Sequence, residues 1–132
     1  MATKQKKSRS AAREGYSTLL PGVKLNEIFK YWTKNCQLHR EDGPAVERPN
    51  GHEWYLYGKR HREDGPAVER ADGYKEYWLN GKLHREDGPA VECQPGAALR
   101  SEPHGEWWLC GRLVAIGNKP KNWDKLIKEI VR

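Results

Sequence analysis

The sequence predicts a mainly β protein: an antiparallel β-meander of about three and a half stacked hairpin repeats, with amphipathic helical caps at its N- and C-terminal ends. Three observations carry this expectation. The stretch His-Arg-Glu-Asp-Gly-Pro-Ala-Val-Glu occurs three times without change, at His39–Glu47, His61–Glu69 and His84–Glu92, with starts 22 and 23 residues apart. The segments between copies align on glycine and end in X-Gly-basic: Glu53–Lys59, Glu76–Lys82 and Glu106–Arg112. No window inside the unit has the length and periodicity of a helix, whereas the turns leave room for two or three strands of about five residues.

Taken in order, residues 1–18 read as a basic flexible tail. Met1–Arg13 has no acidic residue and little apolar content, a composition that cannot offset the entropy of ordering. Residues 19–32 read as an N-terminal capping segment, because Leu25, Ile28, Phe29 and Trp32 follow Pro21-Gly22 at helical spacing. Residues 33–116 form the repeat domain. Its first unit, Tyr31–His39, matches the hairpin with one extra residue in the turn. Asn80-Gly81 is the strongest hairpin signal, since a type I′ turn needs positive φ at both central residues. Asn50-Gly51 and Asp72-Gly73 mark a second turn, and Asp-Gly-Pro at 42–44, 64–66 and 87–89 marks a third. The last unit carries an insertion near Gln94–His104 and lacks a following Asp-Gly-Pro. Residues 117–132 close the chain as a helix. Trp123, Leu126, Ile127, Ile130 and Val131 share one helical face, and Asn122 stands at the N-cap position.

The run Trp78-Leu79-Asn80-Gly81-Lys82-Leu83-His84, with a glycine at 88, resembles the MORN repeat, whose core pattern is W-x-N-G-x-x-H-G-x-G. The resemblance covers roughly residues 31–114 and departs after the histidine, where Arg85-Glu86-Asp87 stands in place of a glycine and one further residue. The chain is thus similar to the variant hairpin repeats of viral, phage and bacterial proteins. The resemblance implies a twisted sheet of consecutive hairpins, a scaffolding role and, in some members, phosphoinositide binding. It also points to a viral or phage accessory protein.

Six Trp and six Tyr compensate for sparse aliphatic residues, because each aromatic can bury roughly 150–250 Å². The implied core is aromatic and one sheet thick. No signal peptide pattern and no apolar run of about 18 residues is present. Cys36, Cys93 and Cys110 are odd in number and lack metal-ligand spacing, which fits reduced thiols in a cytoplasmic, or virion-associated, protein. The net charge of +6 is unevenly spread: residues 38–113 hold 11 basic and 14 acidic side chains, while both ends are basic. Lys4, Lys6, Lys7, Arg9 and Arg13, with Lys119 and Lys121, are therefore the polyanion-binding candidates. They can alternatively lie back on the acidic repeats.

No catalytic residue, metal ligand or cofactor site is expected. His-Arg-Glu-Asp in triplicate invites an acid–base or metal reading, but its groups are spread one per repeat along a ladder. Arg40, Arg62 and Arg85 are expected to pair in columns with Glu41, Glu63 and Glu86, or with Glu47, Glu69 and Glu92. Asp42, Asp64 and Asp87 are expected to bond their own turn backbone. By strand alternation Trp54/Leu56, Tyr77/Leu79 and Trp107/Leu109 share one face and Tyr55, Trp78 and Trp108 the other. A single sheet cannot bury both faces unaided. Tyr55, Trp78 and Trp108, with Tyr57, are thus the candidate exposed protein interface. The leading expectation is a non-enzymatic binding or scaffold module with a protein partner. The alternative is nucleic-acid association through the basic ends, and an anionic lipid surface is a third.

Overall fold

The computed structural model describes residues 29–95 and 104–132. The expected tail 1–18, most of the N-terminal cap and the centre of the 94–104 insertion lie outside the described residues. Two kinds of strand alternate along the chain. A spine of eight antiparallel strands runs in the order β1 (Lys30–Tyr31), β4 (Val46–Arg48), β5 (Gly51–Glu53), β8 (Val68–Arg70), β9 (Lys75–Glu76), β12 (Val91–Cys93), β13 (His104–Leu109) and β14 (Arg112–Ile116). Short hairpins leave it: β2 (Thr33–Lys34) with β3 (Gln37–Leu38), β6 (Tyr55–Leu56) with β7 (Lys59–Arg60), and β10 (Trp78–Leu79) with β11 (Lys82–Leu83). One helix, α1 (Trp123–Ile130), follows. The mainly β meander is therefore present, with the C-terminal helix where the apolar spacing puts it.

Each repeat is a hairpin, a His-Arg-Glu-Asp-Gly-Pro rung and two spine strands. Backbone bonds recur at the same places in every unit. Trp32, Trp54 and Tyr77 donate to the carbonyls of Ala45, Ala67 and Ala90 at 2.8, 2.7 and 2.7 Å. Successive units are tied directly: Arg40, Arg62 and Arg85 donate to the carbonyls of Tyr55, Trp78 and Trp108, and Gly58, Gly81 and Gly111 to those of Leu38, Arg60 and Leu83. The Ala-Val pair after each rung is buried in all three copies. A single unit buries little apolar area, so stability comes from stacking.

Turn chemistry explains the period. Tyr57-Gly58, Asn80-Gly81 and Cys110-Gly111 all have positive φ, from 49° to 81°, which is the twist-matched two-residue hairpin. The spine turn differs between copies. Val46 pairs with Glu53, but Val68 pairs with Glu76, so the second unit holds one more residue, with Gly73 at φ +95°. That residue accounts for 22 becoming 23. Gly51 is not a turn residue: it lies in β5, and a Cβ there would stand 2.4 Å from the Glu69 carbonyl oxygen.

The N-terminal edge corrects two expectations. Phe29 and Trp32 are not on a capping helix, because Lys30–Tyr31 pairs with β4 as a spine strand. Trp32 occupies the place of Trp54, stacked under Arg40. The first hairpin has no extra residue: Thr33 pairs with Leu38 as Tyr55 pairs with Arg60. Its turn is Asn35-Cys36, at φ 51° and 65°, so Cys36 holds the left-handed position that glycine holds elsewhere. At the other end Asn122 sits at the N-cap of α1 without a side-chain cap bond, and the helix starts six residues later than the 117 boundary expected, at Trp123.

These two left-handed sites give opposite outcomes. Gly81→Val should lower stability by about 1–3 kcal/mol through strain alone, since the nearest atoms to an added Cβ are 3.6 Å away. Cys36→Gly should raise it by about 1 kcal/mol. Thermal melting of both variants checks the assignment, and equal midpoints for wild type and Gly81→Val would refute it.

Candidate functional site

The repeated element is an arginine held on every side. The guanidinium carbons of Arg40, Arg62 and Arg85 lie 3.9 Å from the ring centres of Trp32, Trp54 and Tyr77. On the other face is the rung glycine. A Cβ on Gly43, Gly65 or Gly88 would stand 3.0, 3.0 or 2.7 Å from that same carbon. In the plane, Arg40 Nε donates to Asp42 at 3.0 Å, and Nη1 to the Pro44 carbonyl at 3.1 Å and Glu47 at 3.2 Å. Arg62 repeats the set with Asp64, Pro66 and Glu69 at 3.0, 3.1 and 3.2 Å. Arg85 repeats it with Asp87, Pro89 and Glu92. The expected pairing with Glu47, Glu69 and Glu92 is present. Asp42, Asp64 and Asp87 do not cap their own turns but accept from arginine, because stacking carries Nε across the loop. Glu41, Glu63 and Glu86 pair with histidine instead.

Histidine links the units. The backbone N–H groups of Tyr57, Asn80 and Cys110 donate to Nδ1 of His39, His61 and His84 at 3.0, 3.0 and 2.9 Å. The Nε2 atoms face Glu41, Glu63 and Glu86 at 3.2, 3.4 and 3.4 Å. Only the neutral tautomer with its proton on Nε2 makes both bonds. Each polar side chain of the nonapeptide thus has a hydrogen-bond or ion-pair partner. Among the described residues, no group of three His, Cys, Asp or Glu is arranged to hold a metal ion.

Between successive rungs lie open grooves. The first, about 720 Å³, runs between Arg40–Pro44 and His61–Asp64 over Trp54 and Leu56. The second, about 650 Å³, runs between Arg62–Pro66 and His84–Asp87 over Tyr77 and Leu79. The third position is filled by the chain itself. Ala115 stands where a fourth rung would place its arginine, and Trp123 of α1 meets Trp107 edge-on at 5.1 Å between ring centres. Trp107, Leu109, Trp123 and Ile127 form the buried cluster, flanked by Leu126, Ile130 and Val131.

The opposite face carries the aromatic column expected as an interface. Tyr55, Trp78 and Trp108 are half-buried rather than exposed. Each polar ring atom is tied to a spine glutamate two residues back: Tyr55 to Glu53 at 3.0 Å, Trp78 to Glu76 at 2.7 Å and Trp108 to Glu106 at 2.9 Å. Arg60 packs near the rings of both Tyr55 and Trp78. Tyr57 is the exposed member, at 54 %, leaning on His39 with ring centres 4.3 Å apart. Lys119 and Lys121 are exposed in the turn before α1; Lys4, Lys6, Lys7, Arg9 and Arg13 lie outside the described residues. The arginine–aromatic stack was missed from sequence. Its signal was there: an aromatic stands eight residues before each rung arginine. No disulfide joins Cys36, Cys93 or Cys110, and no helix among the described residues is long and apolar enough to cross a membrane.

Glu53 is the most constrained carboxylate. Burial alone would push its pKa up, but the hydrogen bond from Arg60, the charge of Arg48 and the Tyr55 hydroxyl outweigh it and hold it below the usual value. Burial also pushes the Tyr77 hydroxyl up, beneath Arg85. Comparison with family models, curated proteins and solved structures returns no match.

Two outcomes follow from this geometry. Arg62→Lys keeps the charge but loses the planar fork and the stack, so it should cost about 2 kcal/mol. A double-mutant cycle with Trp54→Leu should show coupling of about 1 kcal/mol, and additive effects would dissolve the stack as an energetic unit. Glu53, with its folded pKa depressed, stabilises above the ordinary glutamate range near about 4.3 and loses that contribution as pH falls through the folded value. The stability gap between wild type and Glu53→Gln should therefore shrink on acidification below that range; chemical denaturation across pH 3–7, at about one-unit steps, measures it.

Proposed function

We propose that the chain is a MORN-like, non-enzymatic binding and scaffold module that works through protein–protein contacts. The observation supporting this most is the local pairing of the polar residues. Each rung arginine, histidine and acid is bound within its own unit or to the next one. Groups arranged this way form a ladder, and a ladder lacks the convergent constellation that acid–base or nucleophilic catalysis needs. What a partner can meet is the periodic surface: the two grooves, the exposed rung acids and Tyr57. A viral or phage accessory role accords with the resemblance and rests on it alone.

Nucleic-acid association through the basic ends is the second reading. The exposed Lys119 and Lys121, and a tail of five basic residues with a single acid, favour it. Affinity purification from the source cell, with and without nuclease, separates the two. A protein partner retained after nuclease supports the first reading. Loss of all partners with nuclease, with heparin binding whose salt slope flattens on deletion of residues 1–14, replaces it with the second.

A further inference from the structure

Resting on the protein-binding reading above, we propose that the two open grooves bind an extended segment of a partner protein that presents aromatic and arginine side chains. The third groove position supplies the template. There the chain fills the space with Trp123 and Ile127, and the floor residues Trp107 and Leu109 fall to 8 % and 0 % exposure. The Trp123 indole N–H donates to the Glu86 carbonyl at 2.6 Å, and Arg132 donates to the Glu86 carboxylate at 2.9 Å. An indole and a guanidinium are thus what a rung accepts across its groove. The Glu86 side chain is consequently 34 % exposed, whereas its counterparts Glu41 and Glu63 are 71 % and 83 % exposed.

The first two grooves also have a floor of an aromatic beside a leucine; there the aromatic carries the stacked arginine of the next rung, and the groove beside it has no occupant from this chain among the described residues. Their rims add Asp42 and Asp64, each 87 % exposed although paired at one oxygen with arginine. The rim is therefore acidic and complements a cationic partner. Geometry sets the form of that partner. Rungs precede β4, β8 and β12, which lie two places apart in the sheet, so they repeat at about 10 Å. An extended chain of polyproline II type covers that span in about three residues and returns its side chains to the same side every three, whereas a helix about 10 Å wide does not enter between two rungs. The anchors of the partner then stand three residues apart, one per groove. The chain's own tail is the competing occupant. Residues 1–14 hold five basic side chains but no aromatic residue, so the tail matches the rim and not the floor.

The test is titration calorimetry of the full chain with a short synthetic peptide carrying Trp and Arg three residues apart. Saturable binding is expected. It should weaken about tenfold or more in the double variant Glu41→Lys, Glu63→Lys, whose exposed positions leave folding intact by thermal melting. A Lys/Ala peptide of equal charge should bind about tenfold more weakly. No saturable binding, indifference to the charge reversal, or equal binding of the Lys/Ala peptide overturns the groove. So does a gain of about tenfold on removing residues 1–14 that addition of the 1–14 peptide reverses, which assigns the grooves to the tail. Running the same double variant through the affinity purification separates this from the broader reading. A partner kept by a variant that no longer binds peptide overturns the groove and leaves the protein-binding function standing.

Discussion

The repeat depends on one constraint: a guanidinium must lie flat between an aromatic ring and a backbone with no side chain. At 3.9 Å from the ring and about 3 Å from a would-be Cβ, the slot is as thick as one planar cation. Lysine is not planar, and alanine in place of glycine intrudes on it. The plane then dictates its rim. Nε meets an aspartate two residues on, and Nη1 meets a carbonyl four residues on and a glutamate seven on. Proline before the Ala-Val strand supplies that carbonyl and costs nothing in the ladder, because its missing N–H lies outside the spine. Five of the nine repeated letters, Arg, Asp, Gly, Pro and the last Glu, follow from the geometry of a single side chain.

Stacking is a second, separate device, and histidine carries it. Its Nδ1 accepts a backbone N–H from the turn of the following unit. The turn that donates needs two positive-φ residues, so histidine and the X-Gly pair belong to one interaction split between neighbours. Such nearest-neighbour coupling makes the ends expensive. The C-terminal end meets this with α1. Trp123 packs edge-on against Trp107, and its indole N–H is satisfied by the preceding rung. Val114 stands where histidine would be and Ala115 where arginine would be, so the last hairpin neither stacks an arginine nor calls for a further unit.

The period, the hairpin turns and the face of α1 were legible in the sequence because each is a local rule: fixed spacing, positive φ or helical periodicity. The first unit was misread for the same reason. Cys36 at φ 65° violates the local preference, so an extra residue looked necessary where none exists. The pairing of Thr33 with Leu38 and of Lys34 with Gln37 closes the turn over Asn35-Cys36. Trp32 was assigned to a helix by spacing, although its distance to Arg40 equals that of Trp54 to Arg62. Comparing aromatic-to-arginine separations across units would have placed it. The aromatic stripe is half-buried for another reason. Strand alternation put Tyr55, Trp78 and Trp108 on one face correctly, but it cannot show that glutamates two residues back on the same face bind their polar atoms and half cover them.

The same bonding economy bears on what the surface can do. A side chain already committed to three or four partners has little left to offer a substrate, and the rung arginines are in that state. The groups with capacity to spare are those that the ladder leaves outward: Glu41 and Glu63, one oxygen of each rung aspartate, Tyr57, and the aromatic–leucine floors between rungs. They recur at the repeat spacing, so any partner that engages one is offered the next at a fixed distance. Two weak contacts on one rigid ladder reinforce each other, because the second forms at a high effective concentration once the first has formed. On the proposed reading, the repetition that spreads polar groups one per unit is also what multiplies the contacts open to a partner.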